Sequence, residues 1–289
     1  MHDSPPTDDV QLLDTTLRDG EQAPGVSLSA AQKVEIAREL SAAGVDVIEA
    51  GSACTGPGEQ RAIEQVTALD LDATVTSFAR GIQRDVDLAI DAGVDGINLV
   101  VPASDRHIET KVGSSRGGIR ETTAELVEYA TDQDLWVEVI GEDGSRADPE
   151  FLVDLARVAH EAGANRFAYA DTVGHASPEA VAATVEQLAE LGPVSVHTHD
   201  DLGLAMTNAL AGIWAGADLV HATVNGIGER AGNVALEEVV ISLFHAYDME
   251  TVETESLYGL SSLVADAMGL ELPPNKAVSG QNAFAHESG

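Results

Sequence analysis

The sequence has a single cysteine, Cys54, which excludes an internal disulfide and fits a reducing compartment. No apolar run approaches the roughly 20 residues that span a bilayer. The start, Met1-His2-Asp3-Ser4-Pro5-Pro6, lacks the basic and apolar segments of a secretory signal, and the expectation is a cytoplasmic protein. Positive charge is scarce. Against 49 acidic residues stand 15 basic ones, so the net charge is 15 − 49 = −34. Only Lys33, Lys111 and Lys276 are lysines. Such a surface repels nucleic acid and anionic membrane, and neither is expected as a partner. Disorder does not account for the charge, because the acids are interleaved with apolar periodicity. Salt adaptation does: molar salt screens the self-repulsion while hydrated carboxylates keep the surface soluble. The expectation is a halophilic protein.

What is present is a repeating alternation of short apolar runs and amphipathic ones. Strand candidates are 10–16, 45–51, 73–79, 96–102, 136–141, 166–172, 194–200 and 219–225, rich in Val, Ile and Thr. Helical patterns lie between them at about 29–43, 58–69, 82–92, 118–133, 149–163, 178–191, 203–215 and 233–246. Ala43-Gly44, Ala92-Gly93, Ala162-Gly163 and Ala215-Gly216 each close a helix before a strand, where glycine supplies a left-handed cap. Eight βα units predict a (β/α)8 barrel, with an open doubly wound sheet as the rival. The division predicted is a tail over 1–9, the barrel over 10–250 and an extension over 251–289. That extension carries one more helical pattern, 254–269, then Pro273-Pro274 and a Gly/Ser/Asn-rich segment. It reads as the start of a truncated subdomain.

Barrel enzymes work at the C-terminal ends of their strands. Three polar clusters fall there: Asp14-Thr15-Thr16-Leu17-Arg18-Asp19-Gly20-Glu21-Gln22, His197-Thr198-His199-Asp200-Asp201, and Asn225-Gly226-Ile227-Gly228-Glu229-Arg230-Ala231-Gly232-Asn233. His197 and His199, two apart on a strand, share one side. With Asp19 and Asn233 at neighbouring strand ends they make a divalent-metal site, and Mg, Mn and Zn all suit the donors. Arg18 is placed to stabilise an oxyanion, or to pair with Asp14 or Glu49. The glycine spacing G-x-G-x-x-x-G departs from the dinucleotide fingerprint, so a nicotinamide reading is weak. Such a loop still lets backbone amides approach a phosphate or carboxylate. Glu49, Glu138, Glu142, Asp143 and Asp171 lie near strand ends as candidate acids, bases or structural anchors. Arg80 and His107 are candidate substrate binders, whereas Cys54 has no evident base partner and reads as a packed rim residue.

These three motifs, together with Asn282-Ala283-Phe284-Ala285-His286-Glu287-Ser288-Gly289, resemble the acyl-CoA-condensing branch of the DRE-TIM metallolyases. That branch comprises the 2-isopropylmalate, citramalate and homocitrate synthases, and the likeness runs from about Leu12 to Gly289. It implies that Asp19, His197, His199 and Asn233 hold a divalent metal and that Arg18 polarises the keto group of a 2-oxo acid. It implies that Glu138, matched to a family glutamate on the fifth strand, and Thr172 orient substrate or water. Arg80 and His107 would contact the oxo acid, and Asn225, Gly226, Gly228 and Glu229 would contact acetyl-CoA. A base would remove a methyl proton from acetyl-CoA, the resulting enolate would attack the ketone, and water would then cleave the thioester.

Homocitrate synthases carry Arg-Glu where this chain has Arg18-Asp19, which points to the other two. Family frequency favours 2-oxoisovalerate as substrate, giving 2-isopropylmalate in leucine biosynthesis. A homodimer is a possible assembly. The alternatives are a retro-aldol lyase on the same scaffold and an inactive barrel serving as a subunit.

Overall fold

The computed structural model describes residues 9–287, so all but Asp9 of the predicted tail lies outside the described residues. Eight parallel strands close into a barrel in chain order: β1 (Gln11–Asp14), β2 (Val47–Glu49), β3 (Thr74–Arg80), β4 (Gly96–Pro102), β5 (Trp136–Glu142), β6 (Arg166–Asp171), β7 (Val194–Thr198) and β8 (Leu219–Ala222). Closure is direct, with Gln11 to Asp14 of β1 in register with Leu219 to Ala222 of β8. The helices are α1 (Ala30–Ala43), α2 (Pro57–Thr67), α3 (Gln83–Asp91), the short α4 (Asp105–His107), α5 (Arg116–Thr131), α6 (Pro149–Glu161), α7 (Pro178–Ala189), α8 (Ala205–Trp214), α9 (Leu236–Tyr247) and α10 (Leu257–Met268). The open-sheet rival is thereby excluded.

Local chemistry explains the punctuation. Ser29 and Gln32 form a reciprocal capping box at α1. Asp148 and Ser177 cap α6 and α7, each followed by proline in the first turn, where no amide is needed. The four Ala-Gly repeats end as expected, with Gly44, Gly93, Gly163 and Gly216 at φ between 74° and 109°. β6 and β7 are buried along their whole length, as parallel strands under a helical coat should be.

Contacts between non-adjacent strands run through the barrel interior. Leu13, Val47 and Leu219 form a small apolar floor. Above it the filling turns polar: Ser195 donates to Glu138, His221 approaches Glu138, and Asn98 donates to Glu49.

β1, β2, β6, β7 and β8 stop short of their predicted ends, whereas β4 ends as predicted and β3 and β5 run one residue further. β7 ends at Thr198, and His199 instead pairs with Asn233 in an isolated bridge. β8 ends at Ala222, and Val224–Gly226 forms a 3-10 turn with Asn225 left-handed at φ 63°. A π-helical turn, Ile108–Val112, follows α4 and carries no periodicity signal in the sequence. The extension is docked: α10 buries Leu257, Leu260, Val264 and Met268, and Gln32 of α1 donates to Ala267 O at 2.9 Å.

Candidate metal centre and active site

The loop after β1 is wound on one acceptor. The amides of Arg18, Asp19 and Gly20 all reach Thr15 O, at 3.1, 2.8 and 3.2 Å. Asp14 accepts from Thr16 N and Oγ1, and Thr16 Oγ1 accepts from Val224 N at 2.8 Å, which ties β1 to the β8 loop. From below, the fully buried Lys33 donates to Leu17 O at 2.9 Å and pairs with Glu21 and Glu59. Arg18 and Asp19 therefore project from a fixed turn.

Arg18 Nε donates to Glu49 Oε2 at 2.7 Å and Nη1 to Asp19 Oδ2 at 3.0 Å, while its Cζ stands 4.9 Å from the Phe78 ring centroid. Of the two structural partners weighed for Arg18, Glu49 is the one it meets. Glu49 is held in turn by Thr15 Oγ1 and Asn98 Nδ2. Burial would lower the Arg18 pKa, but Glu49 and Asp19 raise it further, so the guanidinium stays charged.

Asp19, His197 and His199 converge with their ligand atoms all within 4.8 Å of one another. The two Nε2 atoms are 3.0 Å apart, and His197 Nε2 is 3.7 Å from Asp19 Oδ2. All three residues are buried. Burial would raise the Asp19 carboxyl, but Arg18 and the imidazoles outweigh it and hold it at about 2. Burial, then the neighbouring His199, pushes His197 well below the ordinary histidine range, which favours the neutral imidazole that a metal site requires. Asn233 closes the group: Nδ2 reaches Asp19 Oδ1 at 3.2 Å, and its Oδ1 is buried without a partner. Two imidazole nitrogens, a carboxylate and an orphaned amide oxygen fit a divalent cation with positions left for substrate.

A cavity of about 250 Å³ opens over this group, lined by Arg18, Asp19, His197, His199, Glu142, Thr172, Glu229 and an apolar wall of Phe78, Val100, Ile140 and Ala170. A larger one of about 620 Å³ adjoins it and shares Arg18, Gln22 and Phe78, with Arg80 and Cys54 on its far side.

Residues 9–264 match the HMGL-like family profile. The chain belongs to that family. It is 51% identical over 282 residues to a Methanothermobacter thermautotrophicus protein provisionally named (R)-citramalate synthase, covering 97% of this chain and 57% of that one. It is 44% identical over 285 residues to a 2-isopropylmalate synthase of Methanocaldococcus jannaschii, covering 98% and 55%. The chain thus spans little more than half the length of these relatives. An HMG-CoA lyase from Bacillus subtilis superposes with a TM-score of 0.83 at 22% identity, covering 93% of this chain and 97% of that one, a likeness of fold.

Within this HMGL-like barrel the remaining expectations separate. Glu138 is fully buried and does not line the cavity. Its Oε1 accepts from Ser195, and its Oε2 stands 2.9 Å from His221 Nε2. Burial would raise its carboxyl, but His221 and Ser195 bring it below the usual value. The fifth-strand glutamate that does face the cavity is Glu142, bonded by Lys111 Nζ at 2.5 Å and 3.4 Å from His107 Nδ1. His107 also stands 3.7 Å from Asp143. Thr172 faces the cavity and accepts from Asp143 N. Arg80 points outward, paired with Asp85. Asn225 turns away from the cavity, its side chain locked between Ser261 and Ser279. Gly226 and Gly228 pack against Asn233, and Glu229 alone of that quartet lines the cavity. Three contributors were missed in the sequence: Asn98, Lys33 and Lys111. A lone polar residue inside an apolar strand marks Asn98, and nothing in the local pattern marks the two lysines.

Proposed function

We propose that this barrel catalyses metal-dependent condensation of acetyl-CoA with a 2-oxo acid of short apolar side chain. One observation carries the reading: Arg18 is ion-paired to a buried carboxylate that converges with two imidazoles on one cavity. Asp19, His197 and His199, with Asn233 beside them, would hold the cation. When bound, it supplies Lewis acidity toward the keto and carboxylate oxygens of the oxo acid. Arg18, fixed by Glu49, faces the keto oxygen, where negative charge develops as the carbon–carbon bond forms. Thr172 and Glu142 orient the oxo acid from β6 and β5. The acyl thioester enters through the larger adjoining cavity, which meets the first at Arg18. Among the four residues expected on acetyl-CoA, Glu229 alone keeps a place at the mouth. A water then cleaves the thioester, releasing free thiol.

Phe78, Val100 and Ile140 suit a methyl or isopropyl group, and the one lysine lining the cavity, Lys111, is engaged by Glu142. That arrangement disfavours a second substrate carboxylate, and so 2-oxoglutarate. Pyruvate takes precedence over 2-oxoisovalerate because relatives at 51% and 49% identity carry the citramalate synthase name, against 48% and 44% for relatives with the 2-isopropylmalate synthase name. One methylene in such a pocket is worth about 1–3 kcal/mol. The retro-aldol alternative has lyase structures at about one-fifth identity behind it, against synthase names at half. The test is thiol release from acetyl-CoA in molar KCl with Mg or Mn, comparing pyruvate, 2-oxoisovalerate and 2-oxoglutarate, with Asp19→Ala as control. Release with none of them, from folded metal-loaded protein, would sink the autonomous-enzyme reading and favour the subunit alternative.

A further inference from the structure

Beyond α10 the chain returns to the barrel mouth and places a cation there. Lys276, one of only three lysines, is largely buried, its side chain 12% exposed. Its Nζ lies 3.0 Å from Glu237 Oε1 and 2.8 Å from Glu238 Oε1, in the first turn of α9. Glu237 is itself buried and works at both oxygens: Oε1 also takes Ser279 Oγ at 3.4 Å, and Oε2 accepts Asn225 N at 2.9 Å.

Asn225 is the pivot of the β8 loop. Its left-handed backbone, a conformation asparagine tolerates better than other residues with a β-carbon, is fixed by Glu237 at its amide and by Ser261 and Ser279 at its side chain. The next residue, Gly226, accepts Asn233 N at 3.0 Å, and a β-carbon on Gly226 would stand 2.9 Å from Asn233 O. Asn233 then touches Asp19 through Nδ2 and bridges to His199. A continuous set of bonds therefore leads from Lys276 to the three converging ligand atoms.

We infer that Lys276 and Glu237 are positioning residues for the metal centre, a latch by which the segment after α10 sets the pose of Asn233 and His199. This deepens the metal reading of the proposed function and rests on it. Removing the ammonium leaves a buried carboxylate without its counter-charge; it must take up a proton or move toward solvent, and either change loosens its hold on the Asn225 amide.

The test uses the full chain in molar KCl. Mn²⁺ affinity is measured by calorimetric titration for wild type, Lys276→Met, Lys276→Arg, Glu237→Gln and Arg166→Met. The last breaks an ion pair with Asp218 at the opposite end of the barrel. Side-chain nitrogen resonances of His197 and His199 are recorded without metal. The expected result is affinity about 10-fold weaker in Lys276→Met and Glu237→Gln, as for groups that orient ligands, with recovery in Lys276→Arg. Arg166→Met should lower thermal stability and leave Mn²⁺ affinity unchanged. The histidine resonances should shift in Lys276→Met alone among the lysine variants. Unchanged affinity and unmoved resonances, with only a lower melting temperature, would overturn the latch and leave a structural staple. If wild type binds no Mn²⁺, the metal reading fails and the latch is overturned as a device for a metal centre; moved histidine resonances would then leave Lys276 as a positioning residue for Asn233 and His199 alone, and unmoved ones would remove that role too.

Discussion

Gly228 packs on Asn233 so closely that a β-carbon on the glycine would stand 2.2 Å from Asn233 Nδ2. It would also lie 3.4 Å from Asp19 Oδ1. Overlap at the first distance is impossible, and the atom that must yield belongs to a side chain facing Asp19, one of the proposed metal ligands. Gly228→Ala is therefore expected to displace Asn233 and weaken Mn²⁺ binding by about 10-fold or more, the cost of disturbing ligand-orienting groups. Calorimetric titration checks it, and unchanged affinity would mean that Asn233 takes no part in holding the cation.

Arg18 is held by two carboxylates and a ring face, a geometry suited to a planar fork and not to an ammonium. Arg18→Lys keeps the charge and loses that fixation. The expected outcome is a fall in kcat of about 10²–10³, the range for losing one preorganised oxyanion donor, with a smaller change in KM. Steady-state thiol release measures both. Equal kcat in the variant would remove Arg18 from the reacting oxygen.

The eight units, their helices and the convergence of Asp19, His197 and His199 were legible because hydrophobic period and strand-end position are local signals. The glutamate assignment was not, because it turns on depth along a strand. Glu138 and Glu142 have the same side-chain parity on β5, and only the closed barrel shows that one is walled in by His221 and the other reaches the mouth. Asn225 misled for a related reason. Its loop sits beside Asn233 and Asp19, but a left-handed turn sends its side chain toward α10, a contact 36 residues away that no local pattern encodes.

The two glutamates give separable effects. Glu142→Gln removes the charge that engages Lys111 at the cavity, and it should lower turnover while leaving the unfolding midpoint nearly unchanged, since its ion pair is partly exposed. Glu138→Ala should cost about 1–3 kcal/mol of stability in urea unfolding, the scale for leaving the buried His221 and Ser195 groups without their acceptor. The reverse pattern would restore Glu138 as the cavity residue.

Metal should stabilise as well as activate. A ligand bound only by the folded state adds about 2.7 kcal/mol at a hundredfold excess over its Kd. Saturating Mn²⁺ should raise the melting temperature of wild type and leave Asp19→Ala nearly unmoved, and chelation should reverse the shift. A rise of equal size in Asp19→Ala would place the bound ion elsewhere on this acidic surface.

Asp14 provides a pH dependence that involves no turnover. Burial pushes its carboxyl from 3.8 to about 7, with Glu237 adding to the rise, against lowering by its hydrogen bonds from Thr16. Between about pH 4 and pH 7 the folded protein therefore holds a proton that the unfolded chain has released. Stability from this group is fully present at the acid end, is lost as pH rises through the window, and changes no further above it. Asp14→Asn cannot titrate. Its stability relative to wild type should climb across the window by up to about 4 kcal/mol, taking roughly three pKa units at 1.36 kcal/mol each. Groups that do not interact with Asp14 cancel in the difference, and the constant effect of losing one Thr16 contact shifts the curve without tilting it. Urea unfolding of both proteins at pH 4.5, 6 and 8 in molar KCl reads the slope. A flat difference would show that Asp14 is ionised throughout and that the hydrogen bonds from Thr16 outweigh its burial.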